Sequence, residues 1–253
     1  MKSFCNIHYG ENQAQCLDIH LPECETFSAF LYFHGGGLES GDKTCSPEML
    51  NDLTSHGIAV ISANYRMYPA ARYPEFIEDA AAVTAWVVKN IGHYGEMKGL
   101  YIGGSSAGAY LSMMLCFDRR WLGKHGISPQ QISGYIHDAG QPTVHFNVLR
   151  ERGVDTRRVI VDDAAPLFHV GADTYYPPML VIVSDHDMEN RYEQTMLLIS
   201  TLRHFNHSEP EVTLKIMNGK HCAYCGQIDQ NGHSVFGQMV CRYITGERNG
   251  AED

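Results

Sequence analysis

The stretch Gly99-Leu-Tyr-Ile-Gly-Gly-Ser-Ser-Ala-Gly108 joins a short apolar run to a serine between glycines. The pattern predicts a strand that ends at Gly103 and a helix from Ala107 to Phe117. Ser106 then lies in a sharp strand-to-helix turn, where larger flanking residues would collide with the neighbouring backbone. Such a turn exposes the serine hydroxyl at the end of a strand and directs the N-terminus of the next helix toward it. The stretch therefore predicts an α/β fold with a candidate functional site at Ser106.

The remainder of the chain alternates apolar, β-rich runs with segments of helical periodicity. Further strands are predicted at residues 27–33, 57–63, 131–137, 179–183 and 212–217, and further helices at 47–56, 75–91, 189–205 and 234–244. Apolar strands that alternate with helices predict a mostly parallel sheet of about seven or eight strands, covered on both faces. Residues 15–21 alternate in polarity more strictly, as an antiparallel edge strand would. We expect one domain over residues 1–253.

Composition limits the possible partners. The 253 residues include 19 Lys and Arg against 29 Asp and Glu, a net charge of −10, with 44% hydrophobic residues. An acidic chain repels nucleic-acid phosphates and anionic lipid, so neither is an expected partner. No apolar run approaches the roughly 20 residues of a transmembrane helix. Residues 1–8 lack the apolar segment of a signal peptide, which predicts a cytoplasmic protein.

The eight cysteines and fourteen histidines are scattered along the chain. We interpret the cysteines as reduced thiols, mostly small core residues. Cys222 and Cys225 form one CxxC pair, but no second pair follows at zinc-ribbon spacing, which favours two unrelated thiols. His204 and His207 lie three residues apart and are expected at the surface. With no HExxH pair in the sequence, neither a metal nor another cofactor is expected.

A second glycine motif, His34-Gly-Gly-Gly37, directly follows the predicted strand 27–33. Consecutive glycines let the backbone approach a ligand closely and direct N–H groups at a developing negative charge. A flexible turn is the alternative interpretation. The two glycine motifs together, in this order along the chain, favour a functional role for both.

This combination resembles the α/β-hydrolases, specifically the HGGG esterase branch that includes hormone-sensitive-lipase-like and kynurenine-formamidase-like enzymes. The resemblance covers nearly the whole chain. It includes Asn64-Tyr-Arg-Met-Tyr-Pro69 with the following Tyr73-Pro74, the strand at 178–183 and the segment Gly219-Lys-His221. It implies the α/β-hydrolase fold and a serine carboxylesterase that needs no cofactor and acts on a small-molecule ester.

The resemblance also implies a triad in the chain order serine, acid, histidine. It assigns Ser106 as the nucleophile, Asp187 as the acid and His221 as the base. The alternatives are Asp185 or Asp138 for the acid, and His233 or His186 for the base. The oxyanion of the tetrahedral intermediate would be held by the backbone N–H groups of Gly35, Gly36 and Ala107.

The substrate class is predicted from the lengths of two segments. Residues 1–26 are too few for the helical cap of many hormone-sensitive-lipase-like relatives, whereas residues 140–178 could form a small polar lid that includes 150–158. A small lid favours short acyl chains, such as acetyl esters of carbohydrates or small alcohols. Tyrosines at 65, 68, 73, 175 and 176 could line a groove for sugar or aromatic groups, although core packing explains most of them better. The alternatives are an amidase, formamidase or small peptidase with the same triad, or a binding module without catalysis.

Overall fold

The structure, a computed structural model, describes residues 1–173, 175–207 and 211–247. The remaining residues of the predicted 1–253 domain lie outside the described residues. In the described part, eight strands form one sheet. They are β1 (Lys2–His8), β2 (Cys16–Leu21), β3 (Thr26–Phe33), β4 (Ile58–Ala63), β5 (Glu96–Ser105), β6 (Gly134–Asp138), β7 (Met179–His186) and β8 (Val212–Lys220).

Helices connect most of these strands. They are α1 (Pro47–Ser55), α2 (Glu75–Asn90), α3 (Ala107–Phe117), α4 (Arg120–Gly123), α5 (Phe146–Glu151), α6 (Pro166–His169), α7 (Arg191–His204) and α8 (Val235–Thr245). The five longest were predicted from periodicity to within two residues at each end. The short helices α4, α5 and α6 were not, because four to six residues do not establish a helical period. Short 3₁₀ turns occupy Ile91–His93, Pro129–Gln131 and Ala223–Gly226.

The sheet has the order β1-β2-β4-β3-β5-β6-β7-β8. In this order each strand from β4 to β8, including β3, is parallel to the next, whereas β2 is antiparallel to both β1 and β4. The core lies in two layers, with α2, α3 and α7 packed on one face and α1 and α8 on the other. The predicted α/β-hydrolase fold is therefore confirmed in its strand number, its mostly parallel sheet and its two covered faces.

The N-terminal edge of the sheet differs from the prediction. The structure places β1 outside β2, so that residues 16–21 form the second strand instead of the edge. Most side chains of β1 are exposed, and those of β2 are nearly all buried. A strand that buries few side chains on either face gives no polarity pattern for a sequence to reveal, which is why β1 was missed.

The cysteines and one histidine also differ from the prediction. All eight thiols are free, but only Cys16, Cys116 and Cys241 are buried in the core. His207 is not a surface residue, because its ring packs edge-on against buried Tyr176, with the ring centroids 4.9 Å apart. Within the described residues, no helix combines the length and the apolar character needed to cross a membrane.

Candidate active site

Ser106 occupies a strained turn between β5 and α3. Its φ of +56° and ψ of −112° lie in a region that residues with a side chain rarely adopt. The flanking glycines make the turn possible. A Cβ on Gly108 would lie 2.0 Å from the Phe33 carbonyl oxygen, and one on Gly104 would lie 2.5 Å from the Gly108 carbonyl carbon. The close packing of α3 against the end of β3 therefore requires both glycines.

The HGGG loop lies directly beside Ser106, because β3 and β5 are neighbouring parallel strands with Phe33 opposite Gly104. A Cβ on Gly35 would lie 3.3 Å from the Ser106 Cβ, so the backbone approaches the serine closely. Gly36 has a φ of +106°, which favours glycine. Ala107, the third predicted amide donor, is the first residue of α3 and follows Ser106 directly.

The predicted Asn64–Pro69 segment supports this loop. The ring of Tyr65 stacks on that of His34 with centroids 4.6 Å apart, and the Tyr65 hydroxyl donates to the His34 carbonyl at 2.9 Å. Tyr65 is fully buried, as is Tyr176, so these two tyrosines are core residues rather than groove residues.

Helix α5 contacts the other side of the HGGG loop. The sequence did not predict this contact. The Asn147 side-chain amide donates to the Gly37 carbonyl at 2.9 Å. The Phe146 ring lies 3.0 Å from the position of a Cβ on Gly37. Arg150 also forms an ion pair with Glu39. Nothing in the local sequence indicates which loop these side chains meet.

Three of the predicted site residues form a hydrogen-bonded chain. His221 Nε2 lies 2.9 Å from Ser106 Oγ, and its Nδ1 lies 2.6 Å from Asp187 Oδ1. The distances fit a neutral imidazole whose Nδ1–H donates to the carboxylate and whose Nε2 accepts from the serine hydroxyl. The Asp187 side chain is fully buried. The fold thus brings together residues that follow β5, β7 and β8.

The alternative acids and bases have other partners. Asp185 accepts from the Gly219 N–H at 2.8 Å and contacts the ring of His186, so both residues are engaged away from Ser106. The ring of His233 contacts Asp52 at 2.6 Å. Within the described residues, therefore, Asp187 is the carboxylate that hydrogen-bonds to His221.

Asp138, the third candidate acid, has partners outside the hydrogen-bonded chain of Ser106, His221 and Asp187. Its side chain is fully buried and bonds the Tyr224 hydroxyl and the Cys225 thiol. Burial raises the pKa of its carboxyl group. Its backbone carbonyl also accepts from the Ser106 N–H at 2.7 Å. Asp138 therefore supports the turn that carries Ser106, whereas Asp187 forms the hydrogen bond with His221.

His221 and Asp187 each shift the pKa of the other. Burial disfavours the charged form of His221, but the hydrogen bonds and charges of Asp187 and Cys222 together outweigh this effect and raise the pKa of the imidazole to about 9. Burial similarly opposes ionisation of Asp187. Its hydrogen bonds with His221 and two backbone N–H groups nevertheless lower the pKa of the carboxyl group. Asp187 is thus a carboxylate at neutral pH and stabilises a proton on His221.

The CxxC pair lies next to this chain, and its two thiols are free and half-buried. Cys222 Sγ is 3.7 Å from His221 Nε2, and Cys225 Sγ is 3.1 Å from Asp138 Oδ2. The two sulfurs and a carboxylate oxygen of Asp138 lie within 4.8 Å of one another. In the described part of the chain, Asp138, Cys222 and Cys225 are the side chains that lie close enough together to hold a metal ion. Only the fold reveals this proximity, because β6 supplies Asp138 from 84 positions earlier in the chain.

A cavity of about 280 Å³ is lined by side chains from the segments around α5 and after Asp187, and Ser106, His221 and Asp187 are not among its lining residues. Met188, which follows Asp187, and Phe146, which contacts the HGGG loop, are its apolar lining residues. The other lining side chains are polar or charged: Gln141, Thr156, Arg157, Arg158, Glu189, Asn190, Arg191 and Gln194. The cavity is therefore small and mostly polar.

A serine hydroxyl, an imidazole and a buried carboxylate in series are the groups with which serine hydrolases attack an acyl carbonyl. The fold and this site together define the class of α/β serine hydrolases. In agreement, a family model described as the alpha/beta hydrolase fold matches residues 30–220. The chain belongs to this family, in its HGGG branch, whose esterases are serine carboxylic-ester hydrolases.

Two curated relatives indicate the range of the family. The chain is 28% identical over 131 residues to a kynurenine formamidase of Salmo salar, covering 51% of this chain and 43% of that protein. It is 25% identical over 224 residues to esterase LipC of Mycobacterium tuberculosis, covering 79% of this chain and 55% of that protein. The chain thus spans about half the length of these relatives.

A solved structure titled as a truncated carbohydrate esterase from gut microbiota has the same fold over almost its whole length. The TM-score is 0.79 at 20% identity, and the match covers 97% of this chain and 96% of that chain. At this identity the likeness shows the fold alone.

Proposed function

We propose that the protein is a serine carboxylesterase that hydrolyses short-chain, acetyl-type esters of carbohydrates or small alcohols. The observation that carries this proposal is the hydrogen-bonded chain of Ser106, His221 and Asp187 beside the glycine backbone of the HGGG loop. Neither a metal ion nor an organic cofactor takes part in the proposed steps.

In the proposed mechanism, His221 removes the Ser106 proton as Oγ attacks the acyl carbonyl. Asp187 keeps the Nδ1–H tautomer in place and stabilises the imidazolium that forms. The N–H groups of Gly35, Gly36 and Ala107 would hold the oxyanion, where loss of one donor typically costs about 10²–10³ in kcat. His221 then protonates the leaving alcohol, and water activated by the same ring hydrolyses the acyl-enzyme.

The size and polarity of the cavity support a small, polar substrate. At about 280 Å³ it lies at the low end of ligand-binding volumes. Its polar lining suits hydroxyl groups of an alcohol better than a long alkyl chain, because an unpaired buried polar group is costly.

We further propose that the segment 140–178 acts as a small lid. Its first part is anchored through α5 on the HGGG loop, whereas most residues from 150 to 163 are exposed or half-buried. Arg157 and Arg158 of this exposed part reach the cavity. Thr174, within the predicted lid, lies outside the described residues.

Amide hydrolysis is the second candidate, supported by the similarity to kynurenine formamidase. The same residues would act, but His221 would have to protonate a nitrogen leaving group, which is more basic than an alcohol. A binding module is the third candidate. A fluorophosphonate probe separates it from both enzymes, because we expect Ser106 to be labelled covalently in an enzyme only.

We expect the rate on p-nitrophenyl esters to be highest with acetyl and to fall by about tenfold or more by octanoyl. The physical reason is that the small polar cavity offers little apolar area to a long chain. The measurement is kcat/KM over the series from acetyl to dodecanoyl, with N-formylkynurenine as an amide substrate. Rates that rise steadily with chain length would contradict the short-chain proposal, and turnover of the amide alone would favour the formamidase.

The activity is expected to depend on pH through His221. As the base, His221 must be neutral, so kcat/KM on an acetyl ester should rise with pH, reach half its maximum near the pKa of about 9 and level off above it. In Asp187→Asn the raising interaction is lost, so the midpoint of the residual activity should move down toward the ordinary histidine value of about 6.5. The pH profiles of both proteins test this. The same midpoint in both would show that Asp187 does not set the proton affinity of the base.

A further inference from the structure

The CxxC pair lies in a tight turn immediately after His221. The Cys225 N–H donates to the Cys222 carbonyl at 3.0 Å, which closes a four-residue turn over residues 222–225. Such a turn keeps its first and last Cα atoms within about 7 Å, close to the range that a disulfide bond spans. The two sulfurs also lie within 4.8 Å of each other. Bond formation therefore requires side-chain rotation and a small backbone shift, not a rearrangement of the fold.

The two thiols have different surroundings. Cys222 lies beside the imidazole of His221, and both cysteines are half-buried. The Cys225 thiol donates to the carboxylate of Asp138 at 3.1 Å, and Asp138 is fully buried. A hydrogen bond from Cys225, together with the neighbouring His221, lowers the pKa of the Cys222 thiol, whereas the bond with Cys222 and burial raise that of Cys225. Cys222 is thus the thiol suited to attack first, and Cys225 is the one that resolves the product.

We propose that Cys222 and Cys225 form a reversible redox site, which closes to a disulfide by exchange with a low-molecular-weight disulfide and then disables His221. The consequence for hydrolysis rests on the proposed function. The exchange has the usual two steps and needs no group beyond those in the structure and the small disulfide.

In the first step, the Cys222 proton passes to His221 Nε2, and the sulfur attacks one sulfur of the small disulfide. A mixed disulfide forms, and the other half leaves as a thiolate that takes up the proton. In the second step, the Cys225 proton passes to Asp138 Oδ2 while the Cys225 sulfur attacks Cys222 Sγ. The second thiolate leaves and takes up that proton. The protein loses two hydrogens, and the small disulfide is reduced to two thiols.

Closure of the disulfide affects the proposed base because Cys222 directly follows His221. The sulfurs must approach to about 2.05 Å, which pulls the Cys222 backbone toward the turn. His221 Nε2 lies only 2.9 Å from Ser106 Oγ, and a displacement of about 1 Å can cost on the order of 10²-fold in rate. We therefore expect the oxidised protein to be at least about tenfold less active than the reduced one.

The test treats the full chain with oxidised glutathione in the presence of EDTA and follows p-nitrophenyl acetate turnover. Remaining thiols are trapped with N-ethylmaleimide, and the peptide that contains both cysteines is identified by mass spectrometry. We expect a disulfide between Cys222 and Cys225, a tenfold or greater loss of activity and full recovery with dithiothreitol. Cys24→Ser, which removes an exposed thiol elsewhere, should behave like the parent protein.

Two variants separate the steps. Cys225→Ser should stop at the mixed disulfide, with glutathione retained on Cys222. Cys222→Ser should react at neither position and keep the same activity with and without the oxidant. Each variant is compared with its own reduced form, after circular dichroism shows that it is folded.

Trapping of both thiols by N-ethylmaleimide after oxidation would overturn the proposal, as would a disulfide that leaves activity unchanged. An activity loss that occurs only without EDTA would show that the cluster binds a metal ion instead. If the reduced protein hydrolyses no ester, the proposed function fails separately. The disulfide is still mapped by mass, and its effect on His221 is then measured as the rate of fluorophosphonate labelling at Ser106.

Discussion

Replacing Ser106 by alanine is expected to lower kcat on p-nitrophenyl acetate by on the order of 10⁶-fold. The reason is that the nucleophile is lost. His221, still bonded to Asp187, then has no serine proton to remove. Losses of this size are typical for the serine of such a triad, and the residual rate comes from binding and the oxyanion hole. The measurement is steady-state turnover with fluorophosphonate labelling. Labelling that persists in the alanine variant would show that another residue is the nucleophile.

The same position carries a prediction about stability, with the alanine variant as its matched control. Ser106 has a φ of +56°, and a residue with a side chain in such a region is destabilised by about 1–3 kcal/mol. Glycine adopts positive φ readily but makes the unfolded chain more flexible, which offsets part of the gain. We therefore expect Ser106→Gly to unfold with a free energy about 1 kcal/mol greater than Ser106→Ala, although both are inactive. A glycine variant less stable than the alanine variant would contradict a strained turn.

The second large effect is expected for Asp187→Asn, with kcat lowered by about 10⁴-fold. An asparagine amide at this position no longer fixes the Nδ1–H tautomer of His221, so Nε2 cannot accept the Ser106 proton. The hydrogen bond of 2.6 Å between Asp187 and His221 is the contact that the substitution changes. The measurement is kcat on p-nitrophenyl acetate about one unit above the His221 pKa of about 9, where the parent base is mostly neutral.

Asp185→Asn is the matched control for this substitution, two residues away on the same loop. Asp185 accepts from the Gly219 N–H and Asn218 Nδ2, and its hydrogen bonds do not include His221. An asparagine oxygen still accepts the bond from the Gly219 N–H, and neither bond reaches His221, so we expect less than about a tenfold loss. A larger loss for Asp185→Asn than for Asp187→Asn would transfer the role of the acid to Asp185.

The features that the sequence predicted best are those encoded by local backbone requirements. The turn at Ser106 needs glycines on both sides because β3 and α3 approach it closely. Gly104 and Gly108 meet this need and are visible in the sequence. The same holds for Gly36 in the HGGG loop, where the positive φ favours glycine. The longer helices were predicted because one apolar face over many residues leaves a periodic pattern.

The tertiary structure decided which side chains meet at the site. The resemblance favours Asp187, but the local sequence also offers Asp185, and the loop geometry after β7 turns Asp187 toward His221 and Asp185 toward the β8 turn. Likewise, the CxxC pattern does not show that Cys225 meets Asp138. That contact arises because β6, β7 and β8 are neighbouring parallel strands whose ends meet at one edge of the sheet.

The sequence by itself therefore determined the fold class, the strained serine turn and the glycine loop, since each depends on backbone conformations that few residue types allow. The tertiary structure decided that Asp187 rather than Asp185 bonds His221, that α5 holds the HGGG loop and that Cys225 meets Asp138. These contacts join residues that are 34 to 110 positions apart. Their physical cause is the register and order of the strands, which no short stretch of the chain encodes.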